Sequence, residues 1–383
     1  MNGAQTGSDV VITGIGLVTS LGLDVTTSCA AARAGIVRAA PLDFYPVRSP
    51  DDGSVSGVTA HAVSGVTEGF EGEARLVRLA AAALADLQRQ SPEAPWKRGR
   101  NGFYVSIPDP DRGRIGRDSP TELEKRKNEN RTSDEARARR LLGSAARLGG
   151  WRQSIEIRKT ATTGSTGVAE ATHAAVHDLV EDKIDLAIVA GIESYLDENT
   201  LGWLESMERL KSPETPSGLQ PGEAAGLFVL ETRRSAEIRR AQIFCSIVAV
   251  DLAQEMKPLS SGENSTGKGL AVVLESASKI GEWTAATPAW VISDHNGESY
   301  RGLEWGNALF RLASRVGGSQ PMEVWYPAAS FGELGSAFGV AAGSLALRAF
   351  ARRYAPSNTA ALISSSDLTA RAVMVLASPD VSV

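Results

Sequence analysis

Residues 160–176 read TATTGSTGVAEATHAAV, a stretch that joins a predicted strand to a predicted buried helix through a short turn of threonine and glycine. The strand is predicted in IEIRK, just before it, and the helix from about residue 168 to residue 180. A strand that enters a helix through a short turn is a building unit of α/β proteins. The stretch therefore favours an α/β fold.

Apolar runs on both sides of this stretch predict further strands and helices. The first run, DVVITGIGLVTSLG at residues 9–22, is predicted as a strand that breaks at Gly14 and Gly16. Other strands are predicted in NGFYVSI (101–107), IDLAIVAGIES (184–194), GEAAGLFVLE (222–231), IFCSIVAVDLA (243–253), PAWVISD, VWYPAAS, AALISSS and AVMVLAS. Helices are predicted at residues 76–87 and in SAFGVAAGSLALRAFARR. This alternation predicts mostly parallel sheets, and the two series, from about Val10 and Ile243, predict two similarly built halves.

The glycines of the first run allow a second interpretation, a dinucleotide-binding turn of the G-x-G-x-x-G type. Thr19 occupies the third glycine position, and no second strand with an acidic end follows at the usual distance. We therefore interpret the first run as a strand of the sheet without a nucleotide.

Composition narrows the class of protein. The chain has 383 residues, 42% of them hydrophobic, a formal net charge of -5 and a pI near 5.6, which argue against general affinity for nucleic acid or anionic membranes. Cys29 and Cys245 are the only cysteines, so a disulfide framework or cysteine zinc site is not expected and a reducing compartment fits. No basic start with an apolar stretch and no run of about 18 apolar residues occurs, so we expect no membrane span and a cytoplasmic protein.

Residues 111–140 differ from the rest of the chain, because 17 of these 30 residues are charged, with both signs mixed. We interpret this segment as a solvated helical excursion or a mobile insertion. A docking surface for an acidic partner is the alternative.

Four segments, in order, resemble a β-ketoacyl synthase of the thiolase superfamily. VVITGIGLVTSLG resembles that family's first strand, and TATTGSTGVAEATHAAV resembles its nucleophile elbow and buried helix. IDLAIVAGIES resembles the strand that follows, and PGEAAGLFVLE resembles the segment that closes the first half. The resemblance implies a thiolase-like five-layered α/β/α/β/α fold with two pseudo-symmetric halves. We place these halves at residues 9–236, with the charged insertion at about 111–140, and at residues 237–383. It also implies a homodimer or a heterodimer with a ketosynthase-like subunit, and an acyl-carrier protein or acyl-CoA as a partner.

The cysteine nucleophile of that family is missing from the elbow. Alignment on Gly164 places Ala161 at its position, and a shift by one residue places Thr162 there. Cys29 and Cys245 lie in a predicted helix and a predicted strand, and we interpret both as buried structural thiols. The chain is therefore expected to be a divergent member without the thiolate that ordinary condensation needs.

The loops that carry the family's two histidines are also changed. His295 matches the first histidine, but Asn296 and Gly297 replace the residues that normally follow it. Gly332 or Glu333 stands in for the second histidine. The segment SSSDLTARA at residues 364–372 replaces the family's phenylalanine-containing gating loop.

The resemblance and these replacements give one set of candidate site residues. The predicted catalytic residues are Thr162, His295 and Glu333, and the predicted substrate-binding residues are Thr160, Ala161, Thr163, Asn296, Glu298 and Gly332. The cluster of polar residues at 294–304 has two interpretations, a turn closed by Asp and Asn with Arg301 paired to a glutamate, or a remodelled polar pocket. His173 and His177 lack a third metal ligand, so we expect neither a metal nor another cofactor.

Three functions remain open from the sequence. The first is a catalytically degenerate, non-condensing scaffold or chain-length-factor-like partner, in short a pseudoenzyme. The second is an enzyme with a remodelled cleft that performs acyl transfer, hydrolysis or decarboxylation on an acyl thioester. The third is an interaction module whose contact surface is the charged segment. Losing the nucleophile, one histidine and the gating loop together favours the first.

Overall fold

The computed structural model describes residues 6–48, 53–284, 288–316 and 321–379. The strands are β1 (Thr6–Thr19), β2 (Ala40–Arg48), β3 (Val55–Ala60), β4 (Asn101–Ser106), β5 (Ile157–Ala161), β6 (Leu186–Ser194), β7 (Glu223–Thr232), β8 (Cys245–Gln254), β9 (Ala289–Ser293), β10 (Met322–Trp325), β11 (Thr359–Ser365) and β12 (Ala370–Ala377). The helices are α1 (Val25–Arg33), α2 (Gly72–Gln90), α3 (Pro120–Leu148), α4 (Gly167–Val180), α5 (Glu198–Ser206), α6 (Arg233–Ile238), α7 (Lys268–Ile280), α8 (Ser299–Val316), α9 (Ala328–Phe331) and α10 (Phe338–Ala351).

The main sheet repeats one strand order twice. The strands of the first half lie in the spatial order β5-β4-β6-β7-β1, and those of the second half in the order β10-β9-β11-β12-β8. When the five strands of each half are numbered along the chain, both halves have the spatial order third, second, fourth, fifth, first. The first strands of the two halves pair antiparallel, with Val10 opposite Ile247 and Ile12 opposite Cys245. A separate hairpin of β2 and β3 lies outside this sheet. The two halves therefore share one topology and meet along β1 and β8.

Helices cover both halves in layers. Helices α2 and α3 pack on the outer face of the first half, and α7 and α8 pack on the outer face of the second. Helices α4 and α10 lie between the halves in an apolar cluster that includes strands from both. The order helix, sheet, helix, sheet, helix is the five-layered thiolase-like fold, so the predicted fold class is confirmed.

Strand β1 differs from its predicted form, because it continues through Gly14 and Gly16 to Thr19 instead of breaking there. A Cβ atom at Gly16 would lie 2.7 Å from the backbone nitrogen of Leu87, and one at Gly14 would lie against Val229. These glycines allow close packing of α2 and β7 on β1. Their space is filled by protein, which agrees with interpreting the run without a nucleotide.

The charged segment is mostly helical. Helix α3 begins with a capping box in which Ser119 and Glu122 bond each other's backbone N–H groups. Its second half buries Leu141, Leu142 and Ala145 in the apolar cluster beneath α2. The helical interpretation of residues 111–140 thus fits the structure, and α3 belongs to the outer layer of the first half.

Two other predicted segments need correction. The predicted strand VWYPAAS ends as β10 at Trp325, because Pro327 begins a turn that leads into α9. The predicted loop that carries His295 gives way to helix α8 at Ser299. Arg301 and Glu304 are therefore held on a helix.

Candidate functional site

The elbow lies between β5 and α4. Strand β5 ends at Ala161, whose Cβ atom would lie 3.6 Å from a Cβ atom added at Gly167. Thr162 is the first residue after the strand and lines a cavity. Gly164 then adopts a left-handed φ of 62°, which turns the chain into the helix. Of the two predicted nucleophile positions, Thr162 lines the cavity, together with Thr163, Gly164 and Ser165, and Ala161 does not.

Thr162 lacks the arrangement that would activate a hydroxyl nucleophile. Its side chain is buried, and we find no hydrogen bond from its hydroxyl among the described residues. A serine or threonine nucleophile needs an adjacent base, because the pKa of a free hydroxyl lies far above neutrality. Within the residues that the structure describes, no such base is hydrogen-bonded to the Thr162 hydroxyl.

The cavity above the elbow is small and polar. Its volume is about 40 Å³, which is room for a few water molecules. It is lined by Asp109, Arg112, Ile115, Lys127, Thr162, Thr163, Gly164, Ser165, Glu193, Tyr195, Trp203, Arg209, Arg301, Glu333, Ser365, Ser366, Asp367 and Leu368. Charged side chains thus occupy much of the wall.

Arg209 links the buried carboxylate of Glu298 to the partly buried carboxylate of Asp367 on one side of this cavity. Its Nε and Nη2 donate to the Glu298 carboxylate at 2.6 and 3.1 Å, and its Nη1 and Nη2 donate to the Asp367 carboxylate at 2.8 and 3.2 Å. Both contacts have the forked geometry that makes arginine–carboxylate pairs strong. Although burial alone would raise the pKa of Asp367, the guanidinium groups of Arg209 and Arg301 hold it below its usual value.

Arg301 extends the same network. Its Nη2 donates to Asp367 at 3.0 Å, and its Nη1 lies 3.9 Å from an Asp294 carboxylate oxygen. The predicted pairing of Arg301 with a glutamate is therefore wrong, because Asp367 projects from the loop after β11 into that position. Burial raises the pKa of Asp294 to about 6, although Arg301 and the N–H of Ser365 oppose this rise.

Glu333 is a fully enclosed carboxylate in the cavity wall. Its Oε1 accepts the N–H of Gly335 at 2.8 Å and its Oε2 accepts the amide of Asn296 at 2.6 Å. The same Asn296 amide also donates to Glu298 at 2.8 Å. Burial raises the pKa of Glu333 to about 7, against the opposing effects of Arg301 and these two donors. The predicted pocket residues Asn296, Glu298 and Glu333 are thus in one hydrogen-bonded group.

Glu333 should make stability depend on pH in a defined direction. Its folded pKa of about 7 lies above the ordinary 4.5, so the ionised form destabilises the folded state progressively as pH rises from 4.5 through 7. Glu333→Gln removes this ionisation. We expect the stability of the variant relative to the parent to rise by about 2 kcal/mol between pH 5 and pH 8.

Urea unfolding of both proteins at several pH values measures this difference, in which the titration of Asp294 and other unchanged groups largely cancels. A difference that stays constant with pH would show that Glu333 has an ordinary pKa.

The opposite wall is closed by Arg112. Its Nη1 donates to Glu193 at 2.9 Å, and its Nη2 donates to the hydroxyl of Thr200 at 2.6 Å and to Asp197 at 3.2 Å. The guanidinium also lies over the ring of Tyr195, 4.8 Å from its centroid. Arg112 lines both the elbow cavity and a neighbouring cavity of about 280 Å³, and its side chain lies between them.

His295 lies apart from the other two predicted catalytic residues. Its Nδ1 accepts the N–H of Gly297 at 3.2 Å, and its ring packs edge-on against Tyr326 with centroids 5.8 Å apart. Burial, and then the charge of Arg301, lower its pKa. His295 does not line the elbow cavity, whereas Thr162 and Glu333 both do.

The remaining predicted binding residues differ in placement. Thr163 lines the cavity, while Thr160, Ala161 and Gly332 do not. The hydroxyls of Thr160 and Thr163 are buried without a hydrogen bond in the described ranges. Gly332 has a φ of 73° and ends α9 against the side chain of His61, so its contribution is to the path of the backbone.

Several cavity residues were not predicted, notably Arg112, Lys127, Glu193, Arg209 and Asp367. Arg112 and Lys127 belong to the charged segment, whose mixed composition gave no reason to single them out. Asp367 lies within the segment that replaces the gating loop. It follows three serines and is the one acidic residue of that segment, which was the one available signal for its role.

The remaining candidates for a function are the two cysteines, possible metal ligands and possible membrane-spanning helices. Cys29 and Cys245 are buried and free, and burial raises the pKa of both thiols, that of Cys29 to about 12. Across the described ranges, no group of three or more His, Cys, Asp or Glu side chains is arranged to hold a metal ion. None of the helices in those ranges is long and apolar enough to cross a bilayer.

Comparison with known proteins agrees with this geometry. Residues 159–236 match the family model of the β-ketoacyl synthase N-terminal domain. The structure AntDE:AntF (apo), described as a type II PKS acyl-carrier protein in complex with its ketosynthase bound to the hexaketide, is similar at 17% identity and TM-score 0.70, over 97% of this chain and 99% of that one. The ishigamide ketosynthase/chain length factor is similar at 17% identity and TM-score 0.70, over 96% and 98% of the two chains.

A ketosynthase from module 6 of the bacillaene synthase of Bacillus subtilis 168 is similar at 14% identity and TM-score 0.70, over 97% of this chain and 72% of that one. No curated protein sequence matches the chain. The fold is thiolase-like. Within that class the chain has the ketosynthase fold, and the predicted resemblance to the β-ketoacyl synthase family is confirmed.

Proposed function

We propose that this protein is a non-condensing, ketosynthase-shaped subunit that serves as a binding or scaffold partner, in the manner of a chain-length factor. One observation carries the proposal: the cavity above the elbow has no thiol and is filled by paired arginines and carboxylates. The proposed role also accounts for the loss of the nucleophile and the gating loop together.

The missing thiol bears on the first step of condensation. A condensing enzyme holds its acyl group on a thiolate, which attacks because its pKa is low at the amino end of a helix. Thr162 presents a hydroxyl there, and the two thiols of the chain are buried elsewhere. Covalent acyl transfer by the family's usual route therefore has no nucleophile here.

The filled cavity bears on substrate binding. Sites for small ligands commonly have volumes of about 300–1,000 Å³, far above the 40 Å³ at this elbow. An acyl chain that displaced Arg209 or Arg301 from the cavity wall would separate it from its carboxylate partners. Breaking a buried, hydrogen-bonded ion pair costs about 3–5 kcal/mol, which an apolar chain cannot replace with charge interactions.

The proposed partner is a ketosynthase-like subunit, in a heterodimer, with a homodimer as the alternative. The ishigamide structure, by its name, contains a ketosynthase and a chain length factor of this fold. An acyl-carrier protein is proposed as a further partner, because one similar structure is described as a carrier protein in complex with its ketosynthase. Residues 9–236 and 237–383 are proposed as the two halves of such a subunit, in the cytoplasm.

Incubation of the purified protein with an acyl-carrier protein or coenzyme A thioester is expected to leave its mass unchanged. The physical reason is the absence of a thiolate at Thr162 and of space beside it. Intact-mass spectrometry measures the result, with a competent cysteine-dependent ketosynthase as the positive control. A mass increase by one acyl group would contradict the proposal.

One observation favours a second function, an enzyme with a remodelled cleft. Glu333, with a pKa of about 7, lines the same small cavity as Thr162 and could exchange a proton near neutral pH. The same incubations distinguish this case, because thioester hydrolysis or acyl transfer would then appear. That turnover would be lost in both Thr162→Val and Glu333→Gln, whereas His295→Gln would test whether the histidine takes part.

A further inference from the structure

A groove lies at the carboxyl ends of α1 and α10, away from the elbow. Two adjoining cavities of about 460 and 500 Å³ share Arg33 and Tyr354 in their walls. Helix α10 has 14 residues and begins beside the elbow, so at 1.5 Å per residue its far end lies about 20 Å away. We name these two cavities the basic groove, and their combined wall is separate from the site described above.

One part of the basic groove is aromatic. Trp325, Tyr326 and Tyr354 line it, and the rings of Trp325 and Tyr354 are nearly parallel at 19°, with centroids 6.2 Å apart. Trp325 is braced from behind by Trp290, which packs edge-on at 4.8 Å and is fully buried. Trp325 and Tyr354 thus stack on each other, and the exposed ring of Tyr326 beside them is the aromatic surface open to a planar group.

The other part of the basic groove is cationic. Arg33, Arg348 and Arg352 line it, and within the ranges that the structure describes none of them pairs with an acidic side chain. The guanidinium of Arg33 lies over the Tyr354 ring, 3.8 Å from its centroid. This contact fixes one cation at the boundary between the aromatic and the cationic parts.

Helix electrostatics explains why arginines occur at these positions but not why they converge. Arg33 and Arg348 lie in the last turns of α1 and α10, where the helix dipole stabilises a cation. Each arginine would gain the same stabilisation if its side chain pointed away from the other arginines. By contrast, the arginines of the elbow network all have carboxylate partners, and the whole chain carries a net charge of -5.

We propose that the basic groove binds a phosphate-bearing aromatic compound of the nucleotide class. The planar base packs against the ring of Tyr326, the most exposed of the three aromatic side chains, and the phosphates bind Arg348 and Arg352. Arginine suits this role because its planar fork donates two parallel hydrogen bonds to phosphate oxygens. The volumes of the two cavities fall in the range of small-ligand sites, and stacking on aromatic side chains tolerates any base.

Isothermal titration calorimetry with ADP tests this proposal, with adenosine and inorganic pyrophosphate as the two separate fragments. We expect ADP to bind with one site per chain and at least tenfold more tightly than either fragment. Arg348→Gln should weaken ADP binding at least tenfold and leave adenosine binding unchanged. Tyr326→Ala, at an exposed side chain that does not support the core, should weaken both ADP and adenosine.

The matched control is Arg98→Gln, an exposed arginine outside the groove without an acidic partner in the described residues, which should bind ADP like the parent. Thermal melting confirms that each variant is folded. No ADP binding at millimolar concentration, or binding that Arg348→Gln leaves unchanged, would overturn the proposal. Equal affinity for ADP and pyrophosphate would also overturn it, because the aromatic wall would then contribute nothing, and binding of an acidic protein alone would assign the groove to docking.

Discussion

Replacing Arg209 by methionine is expected to lower the free energy of unfolding by about 3–5 kcal/mol. Arg209 is buried and donates four hydrogen bonds to Glu298 and Asp367. Methionine keeps much of the side-chain volume and removes the charge. The two carboxylates then remain in the protein interior with part of their compensation lost, which costs more than the missing contacts alone.

Urea unfolding measures the effect, and Arg100→Met is the matched control. Arg100 also pairs with two acids, Asp182 and Asp185, but at the exposed surface, where the expected change is small. Adding Glu298→Gln to Arg209→Met should recover part of the lost stability, because without Arg209 the Glu298 carboxylate keeps the Asn296 amide but no close cation within the described residues, whereas Asp367 still accepts from Arg301. Equal losses in Arg209→Met and Arg100→Met would show that the buried network does not stabilise the fold.

Replacing Gly222 by alanine is expected to cost about 3 kcal/mol. The backbone at Gly222 accepts the N–H of Tyr195 at 3.1 Å and lies beneath the loop of Glu333. An added Cβ atom would overlap the carbonyl oxygen of Phe331 and lie 3.0 Å from that of Glu333. Both neighbours are backbone atoms, so the loop that carries Glu333 must move as a whole.

The control for this change is Gly306→Ala in α8, where an added Cβ atom meets nothing within 4 Å. There alanine should raise the free energy of unfolding by about 0.5–1 kcal/mol, because glycine is a poor helix former. Urea unfolding of both variants gives the comparison. If Gly222→Ala were as stable as the parent, the tight crossing beneath the Glu333 loop would be wrong.

The sequence predicted most of the main sheet because its strands are continuous apolar runs. Strand β6 and strand β7 are almost entirely buried, and such runs identify interior strands without further information. The hairpin of β2 and β3 escaped prediction, since its exposed residues show no alternation. Helix α8 was missed from Ser299 because Asn296 and Gly297 made the whole segment resemble a loop.

The site was harder to predict for a physical reason. Glu298 and Glu333 could be predicted because they stand in loops whose counterparts carry histidines in the resembling family. Arg209 could not, since it reaches the cavity from a turn after α5 and its role depends on pairing with Asp367, 158 residues away in sequence. Long-range charge pairing leaves no local pattern in a single sequence.

The pairing of β1 with β8, together with the helices between the halves, determines how the protein unfolds. Helix α4 comes from the first half and α10 from the second, yet each packs on strands of both. Neither sheet can lose its inner helical cover without exposing the apolar face of the other. The two halves are therefore expected to fold and melt as one cooperative unit, and a chain cut near residue 236 would release two fragments that each need the other to stay in solution.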